Sequence, residues 1–395
     1  MLLKQIVEDP SSRRPEKMIM MSKIGSLQHC RSRPLKQEWR LTGIMRKRLL
    51  SFVTWVFICC IIFLVILKSV YCDTGCLNHE IHSLLNFKNH LHDYVGRLAS
   101  WNIASINCCE WDGASCDGRT GHVVGVDVHN CSLNGEFRPA LFFLSQLRDL
   151  ESLNVGSNNF KGQHIPQELG LLKKLIHLNL SKAGFSGTIP RQLGNLSSLT
   201  VLDLSSSAFT LESPDHSWLT NLTALKHLSL DRVDLSAMSS AWGRSVGRLS
   251  QLRNLSLSNC GLTGAIPPSL QNLTSIEILH LDSNPFHSEF PSWLSNMTSL
   301  ISLQMSNSSL NGSLPFELCQ MPRLKRIYLD NNRISGNVSQ IFQGQWKALI
   351  LFHMENNSLK GSLPSSIGKL SALAQLDLKH NNLKGKIPFS LGLLH

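Results

Sequence analysis

From Val123 to the end of the chain, apolar and polar positions recur in one order, L-x-x-L-x-L-x-x-N-x-L-x-G-x-I-P, about every 25 residues. Within a repeat, Leu376-Asp377-Leu378 alternates as a strand does, leucines inward and Asp377 outward. Counting three residues past the second strand leucine gives eleven anchors: Cys131, Asn158, Ala183, Ser207, Val233, Cys260, Asn284, Ser308, Asn332, Asn357 and Asn381, spaced 24 to 27 residues apart. Two residues past each anchor the chain is always apolar: Leu133, Phe160, Phe185, Phe209, Leu235, Leu262, Phe286, Leu310, Ile334, Leu359 and Leu383. One such coil cannot bury its leucines alone, so successive coils must stack. The pattern predicts an α/β repeat solenoid, with a parallel sheet on the concave face and short helices or 3-10 turns on the convex face.

This period and leucine spacing are those of a leucine-rich repeat. An inward Asn at the anchor is expected to hydrogen-bond backbone groups of the next coil that burial would leave unpaired. Ala183 and Val233 cannot do so, and the ladder should weaken there. Gly-Thr-Ile-Pro (187–190), Gly-Ala-Ile-Pro (264–267), Gly-Ser-Leu-Pro (312–315 and 361–364) and Gly-Lys-Ile-Pro (385–388) end their strands: Gly permits the turn, and Pro fixes φ and removes a donor. The stretch from Ser207 to Cys260 lacks that turn and contains Trp218 and Trp242. The favoured reading is a convex short helix in each coil with its Trp packed inward; the rival is a lateral surface for a co-receptor.

A solenoid needs its raw end covered, and residues 73–122 read as that cap. Glu80 to Leu91 places Ile81, Leu84, Leu85 and Leu91 near one face of a helix. Beyond it lies Cys108-Cys109-x-Trp111-x-Gly113-x-x-Cys116. In an exported chain these cysteines read as disulfides. Adjacent Cys108 and Cys109 are poorly placed to bond each other, and Cys76–Cys108 with Cys109–Cys116 is the expected pairing. Zinc is the competing reading, but no C-x-x-C pair or paired His supports it. Cys131 and Cys260 sit at inward anchors as buried small hydrophobes, and Cys319 falls on a convex side.

The formal charge of +11 suggests nucleic acid until it is divided. Residues 1–72 carry 13 Lys/Arg and 4 Asp/Glu, a net of +9; the remainder nets +2. The repeats therefore offer no basic patch for phosphate backbones. Residues 49–67 form nineteen uncharged, apolar positions after Arg46-Lys47-Arg48, and Val70 and Cys72 suit a signal-peptidase cut near Asp73. A cleaved signal peptide over 45–72 is preferred to an uncleaved signal anchor; both export everything after Lys68. Residues 1–44 are basic, without periodicity, and read as a disordered leader or as an extension preceding a true start at Met45. Eleven N-x-[ST] sequons lie beyond the apolar segment: Asn130, Asn179, Asn195, Asn221, Asn254, Asn272, Asn296, Asn307, Asn311, Asn337 and Asn356. Export makes them expected glycosylation sites.

The cap and first coils resemble the extracellular part of plant leucine-rich-repeat receptor-like proteins and receptor kinases. The resemblance rests on Leu84-Leu85-x-Phe87-Lys88, Leu98-x-Ser100-Trp101, the Cys108–Cys116 cluster and Thr120-Gly121-His122-Val123-Val124. Leu225-Lys226-His227-Leu228, Val233-Asp234-Leu235-Ser236 and Leu257-Ser258-x-Cys260-x-Leu262 are similar to the receptor-like protein branch. The resemblance implies a cell-surface or apoplastic receptor without catalysis, recognising a peptide, microbial or partner-receptor ligand in defence or development, with a co-receptor kinase to signal. Family members usually carry more coils, a cysteine-bearing carboxy-terminal cap and a membrane helix. Residues 123–395 instead read as about eleven repeats with the last incomplete, so a fragment, a truncated gene model or a decoy-like secreted form is expected. Its final coil should leave Leu376, Leu378, Leu383 and Ile387 at an open end.

Outward strand positions supply the candidate ligand surface, centred on Arg326, Tyr328, Asp330, His353, Glu355, Asp377 and Lys379. One aromatic, an Arg and several carboxylates suit peptide recognition; the plain alternative is a solvated strand face. Five histidines on or beside the strands (His177, His227, His280, His353 and His380) raise a pH-gated surface, but their ladder positions gather no metal-ligand set. No nucleophile–base pair, phosphate loop or kinase motif is present, so neither cofactor nor enzymatic activity is expected. The rival function is a secreted polygalacturonase-inhibitor-like protein, whose cap and repeat look similar.

Overall fold

A computed structural model describes residues 75–393 apart from 106, 209 and 345. The leader 1–44, the apolar segment 45–72 and Phe209 lie outside the described residues. Among those described, no helix is long and apolar enough to cross a membrane.

The repeats stack as their periodicity requires. Strands of three to five residues, from Val123–Asp127 to Gln375–Asp377, pair in parallel in chain order, and Ala114–Cys116 of the cap adds an antiparallel edge, for twelve strands in all. The register puts Val126, Leu153, Leu178, Leu202, Leu228, Leu255, Leu279, Leu303, Ile327, Phe352 and Leu376 in one column. All but Leu376 are buried. Leu376, Leu378 and Leu383 are only partly buried and Ile387 is exposed, as the unpaired final coil predicts.

On the convex side, five-residue 3-10 helices recur, as at Arg191–Asn195, Pro268–Asn272, Ser292–Asn296 and Ser365–Lys369. A Pro precedes each of these in extended geometry, and each buries one central aliphatic residue: Leu193, Leu270, Leu294 and Ile367. Proline's fixed φ thus ends the flank and starts the helix. The irregular coils still turn inward: Trp218 and Trp242 are buried, and Trp218 Nε1 donates to Ser213 Oγ at 3.0 Å.

The anchor asparagines form the expected ladder, with one correction of direction: the amide donates to the preceding coil. Asn332 Nδ2 donates to Met305 O (2.9 Å), and its Oδ1 accepts from Ser308 N (3.1 Å) and Leu310 N (2.9 Å). Asn158, Asn284, Asn357 and Asn381 repeat this pattern. The rung at Ala183 is also filled, by a different route, while the donor facing Val233 belongs to Phe209, outside the described residues. Phe160 N donates to the backbone carbonyl of Ala183 (2.8 Å), and Leu235 N to that of Cys260 (2.9 Å). A backbone carbonyl one coil further on can accept the same N–H, so apolar anchors lose the side-chain bond without orphaning the donor. Ser207 is a genuine exception: it is exposed, and Ser206 is buried beside it.

The residue before the anchor is in the left-handed region in most coils: Ser157, Lys182, Arg232, Asn259, Ser283, Asn307, Asn331, Asn356 and His380 have φ of 51–59°. Lys182 and Arg232 hold this conformation without the local side-chain bonding that eases it for Asn.

The cap helix, Asn78–Asn89, buries Ile81, Leu84 and Phe87, while Leu85 is half-buried and Leu91 falls in the two-residue strand beyond. Phe87 packs on Trp101 and Trp101 on Trp111, with centroids 6.1 and 5.7 Å apart. Lys88 Nζ donates to Leu98 O and Trp101 O at 2.7 and 2.8 Å, tying the helix to the next turn. Buried Glu80 accepts from Val123 N (2.9 Å), so its carboxylate satisfies the first N–H of the first repeat strand. The four cap sulfurs are joined as Cys76–Cys108 and Cys109–Cys116, which consumes the thiolates that zinc would need. Burial pushes the Cys131 and Cys260 thiols above the ordinary range, as inert core residues require.

Candidate functional site

Strands only three residues long leave two outward side chains each, and parallel register turns these into rows crossing the sheet. Tyr328 lies opposite His353, and His353 opposite Asp377. The Tyr328 and His353 rings are 5.0 Å apart and tilted by 59°. Arg326 opens the Tyr328 strand and is exposed. In the adjoining row, Asp330 Oδ1 accepts from Glu355 N at 2.8 Å, and Glu355 Oε1 lies 3.7 Å from His380 Nε2. Lys379 Nζ donates to Asp377 Oδ2 at 3.0 Å. The seven residues proposed from sequence thus share one face across three neighbouring strands.

Their surroundings fix their charges. Burial works to raise the Asp377 pKa, but hydrogen bonds and charge from Lys379 and the nearby His353 outweigh it and hold the carboxyl below the usual range. The same hydrogen bond and carboxylate raise the Lys379 pKa. Asp377 and Lys379 therefore stay an ion pair at any physiological pH. His353 Nε2 is enclosed and makes no hydrogen bond. His177 and His227 share one row and His280 and His353 another, each on a separate strand, and no three of the described strand-face histidines converge as ligands.

A second feature of this face was not legible as a unit. Ser256 Oγ and Ser258 N donate to Asp231 Oδ1 (2.7 and 2.8 Å); Ser258 Oγ donates to Asp282 Oδ2 (3.0 Å); Ser306 N donates to Asp282 Oδ1 (3.1 Å). Ser306 Oγ in turn accepts from Asp330 N (3.1 Å). Alternating Asp and Ser thus stitch five coils together across the sheet. Burial raises the Asp282 pKa, against the hydrogen bonds from Ser306 and Ser258. The sequence signal is Ser or Asp recurring just past the second strand aliphatic, at Asp231, Ser258, Asp282, Ser306 and Asp330, of which the candidate ligand surface includes Asp330 alone.

Among the described residues this face is an open array of side chains. What it can do is present hydrogen-bond donors, acceptors and one aromatic pair along an extended line, which suits a strand-like ligand.

The sequence matches the Leucine rich repeat N-terminal domain family at residues 77–117 and Leucine rich repeat families at 174–196, 251–273, 274–334 and 322–383. It is 40% identical over 124 residues to Receptor-like protein EIX2 of Solanum lycopersicum, a match spanning 29% of this chain and 12% of that protein. Among solved structures it is similar to the ectodomain of the Arabidopsis receptor kinase HAESA in complex with an N-terminally extended IDA peptide hormone. There the TM-score is 0.66 and the identity 30%, over 78% of this chain and 54% of that one. The complex of HAESA with IDA and the co-receptor SERK1 gives a TM-score of 0.64 and 29% identity over the same shares. The chain thus spans about half of the solved ectodomain, and its match a far smaller part of the curated relative.

Proposed function

From a capped leucine-rich-repeat chain whose homologues are plant receptor-like proteins and receptor kinases, we propose that this protein is an extracellular, non-catalytic ligand-recognition module. It binds an extended peptide or protein ligand across the concave sheet and works at the plant cell surface or in the apoplast. Arg326, Tyr328, Asp330, His353, Glu355, Asp377 and Lys379 form the contact region. Signalling falls to a partner kinase recruited by the ligand-bound face. Attachment to the membrane is through the 45–72 segment or a carboxy-terminal helix of the whole receptor.

The observation that carries this reading is the co-facial row Tyr328–His353–Asp377, with the exposed Arg326 beside it. Aromatic and Arg side chains dominate interface energetics when they are presented on a rigid support. Support also comes from HAESA, a peptide-hormone receptor of the same fold at 30% identity. The polygalacturonase-inhibitor alternative is not favoured by these relatives. The test is a screen of synthetic peptides and apoplastic fractions against the secreted protein, followed by Arg326→Ala and Tyr328→Ala. Each substitution should weaken a bound ligand by about 1–2 kcal/mol, roughly five- to thirtyfold. Unchanged affinity in both variants would remove this surface from the reading.

A further inference from the structure

The flank between the eighth and ninth coils holds a cavity of about 360 Å³, within the roughly 300–1,000 Å³ range of small-ligand sites. Its origin is local. In three other coils a Gly in the convex helix lets the next coil approach closely: a Cβ on Gly170, Gly194 or Gly368 would lie 2.3–2.7 Å from a backbone carbonyl oxygen of the following coil. The eighth coil has Cys319 at that position, facing Gly344. The ninth coil also lacks Ile-Pro and folds a single α-turn, Val338–Ile341, capped by Asn337. Trp346 tucks beneath that turn, its Nε1 donating to Ile341 O at 2.9 Å.

The wall chemistry is mixed in a particular way. Phe316 and Trp346 supply aromatic surface, and Phe316, at the outward first position of its 3-10 helix, is 54% exposed. Ser313, Ser335, Gln340 and Gln343 supply hydroxyls and amides. A flat apolar plate rimmed by neutral donors and acceptors suits a sugar ring, which carries both a C–H face and equatorial polar groups. Asn337 itself lines the cavity and is the acceptor residue of an Asn-Val-Ser sequon. Its Oδ1 accepts from Ser339 N (3.0 Å) and Ser339 Oγ (2.9 Å), which fixes the amide and leaves Nδ2 as the substituent-bearing atom. The sequons at Asn195, Asn221, Asn272 and Asn296 differ: each ends an exposed 3-10 helix on the open convex surface.

We propose that Asn337 carries an N-linked glycan and that this cavity seats its first N-acetylglucosamine residues. The glycan thereby becomes a wall of the fold instead of a free surface chain. In the modification, Asn337 Nδ2 bonds to the sugar C1 of a polyisoprenyl-diphosphate-linked oligosaccharide. The C1–O bond to diphosphate breaks, the polyisoprenyl diphosphate leaves, and Nδ2 gives up one proton. The inference rests on the export proposed above, which supplies that donor.

The experiment expresses the full chain in plant cells and digests the purified protein, native and denatured, with a peptide-N-glycosidase. Glycopeptide mass spectrometry reads each site. In the native protein, release at Asn337 should be about tenfold slower than at Asn221 or Asn296, the factor one modest contact provides, and the difference should vanish on denaturation. Phe316→Ala removes an exposed side chain, leaves folding intact and should abolish the protection. Equal release rates at Asn337 and Asn296, or protection unaffected by Phe316→Ala, would overturn the inference. So would an unmodified Asn337: with Asn195, Asn221, Asn272 and Asn296 occupied, export survives and the seated glycan fails; with all five bare, export fails as well.

Discussion

Replacing Asn332 with Ala tests the ladder where its geometry is most complete. Asn332 is 8% exposed. Its side chain accepts from Ser308 N and Leu310 N and donates to Met305 O and Leu329 O. Truncation removes the acceptor of two buried N–H groups, each worth about 1–3 kcal/mol when orphaned. Some relief is available. Phe160 N shows that the backbone carbonyl of the next anchor can take the donor that Leu310 N would lose. Ser308 N has no such substitute, so about 1–3 kcal/mol should remain, roughly five- to 150-fold in a local opening equilibrium. Coils interact with their neighbours alone, so the loss should stay near the eighth and ninth. Amide hydrogen exchange read by mass spectrometry on residues 301–312 measures it, with residues 125–135, which rely on Asn158, as internal control. Asn332→Ser should recover part of the loss, because Ser308 already reaches back to Leu281 O at 3.3 Å. Unchanged exchange at Leu310, or equal loosening of the control, would refute the reasoning.

Three further outcomes are expected. Lys182→Asn should stabilise the second and third coils by about 0.5–1 kcal/mol, since position 182 has φ of 53° and Asn tolerates that region better than Lys; urea unfolding with an unchanged or lower midpoint contradicts it. Cys109→Ser with Cys116→Ser should weaken the cap by about 2–4 kcal/mol, seen as faster proteolysis of residues 75–122 ahead of the repeats. Burial lowers the His177 and His280 pKa values below the ordinary 6.5, so the unfolded chain binds more protons as pH falls. Stability should therefore decline below about pH 6.5, and His280→Gln should flatten that decline in thermal unfolding from pH 7 to 5. Asp282 acts with the opposite sign: its raised pKa favours the folded state toward acid and loses that contribution as pH rises through the folded value.

The repeating part of the fold was readable because one physical demand, burying a leucine column, is imposed on every coil at the same phase. Val126 to Leu376 had to align, whereas excluding an adjacent Cys108–Cys109 bond still leaves two pairings of the cap cysteines, between which the structure chooses. The ladder's direction was not readable: an inward Asn is equally compatible with reaching forward or back, and the handedness of the coil decides. The filling of the rung at Ala183 was also hidden, since backbone carbonyls carry no residue identity. On the concave face, Tyr328, His353 and Asp377 came from period-2 alternation. The Ser–Asp stitching did not, because it depends on hydroxyl direction between coils. The cavity beside Asn337 arises from two departures, Cys319 for Gly and a missing Ile-Pro, which register in sequence only as gaps in a motif.

The backward-reaching asparagine has a consequence for how such a chain can change its length. Every anchor asparagine meets its predecessor through backbone groups at equivalent positions, so a coil recognises phase and not identity. Excising residues 333–357 would join Asn332 to Ser358, leave Leu359 two places past an anchor, and present Leu359 N to Asn381 as before. The span of the binding face can thus be shortened or extended in steps of one repeat, with its joints already compatible, while each step swaps in a different set of outward side chains.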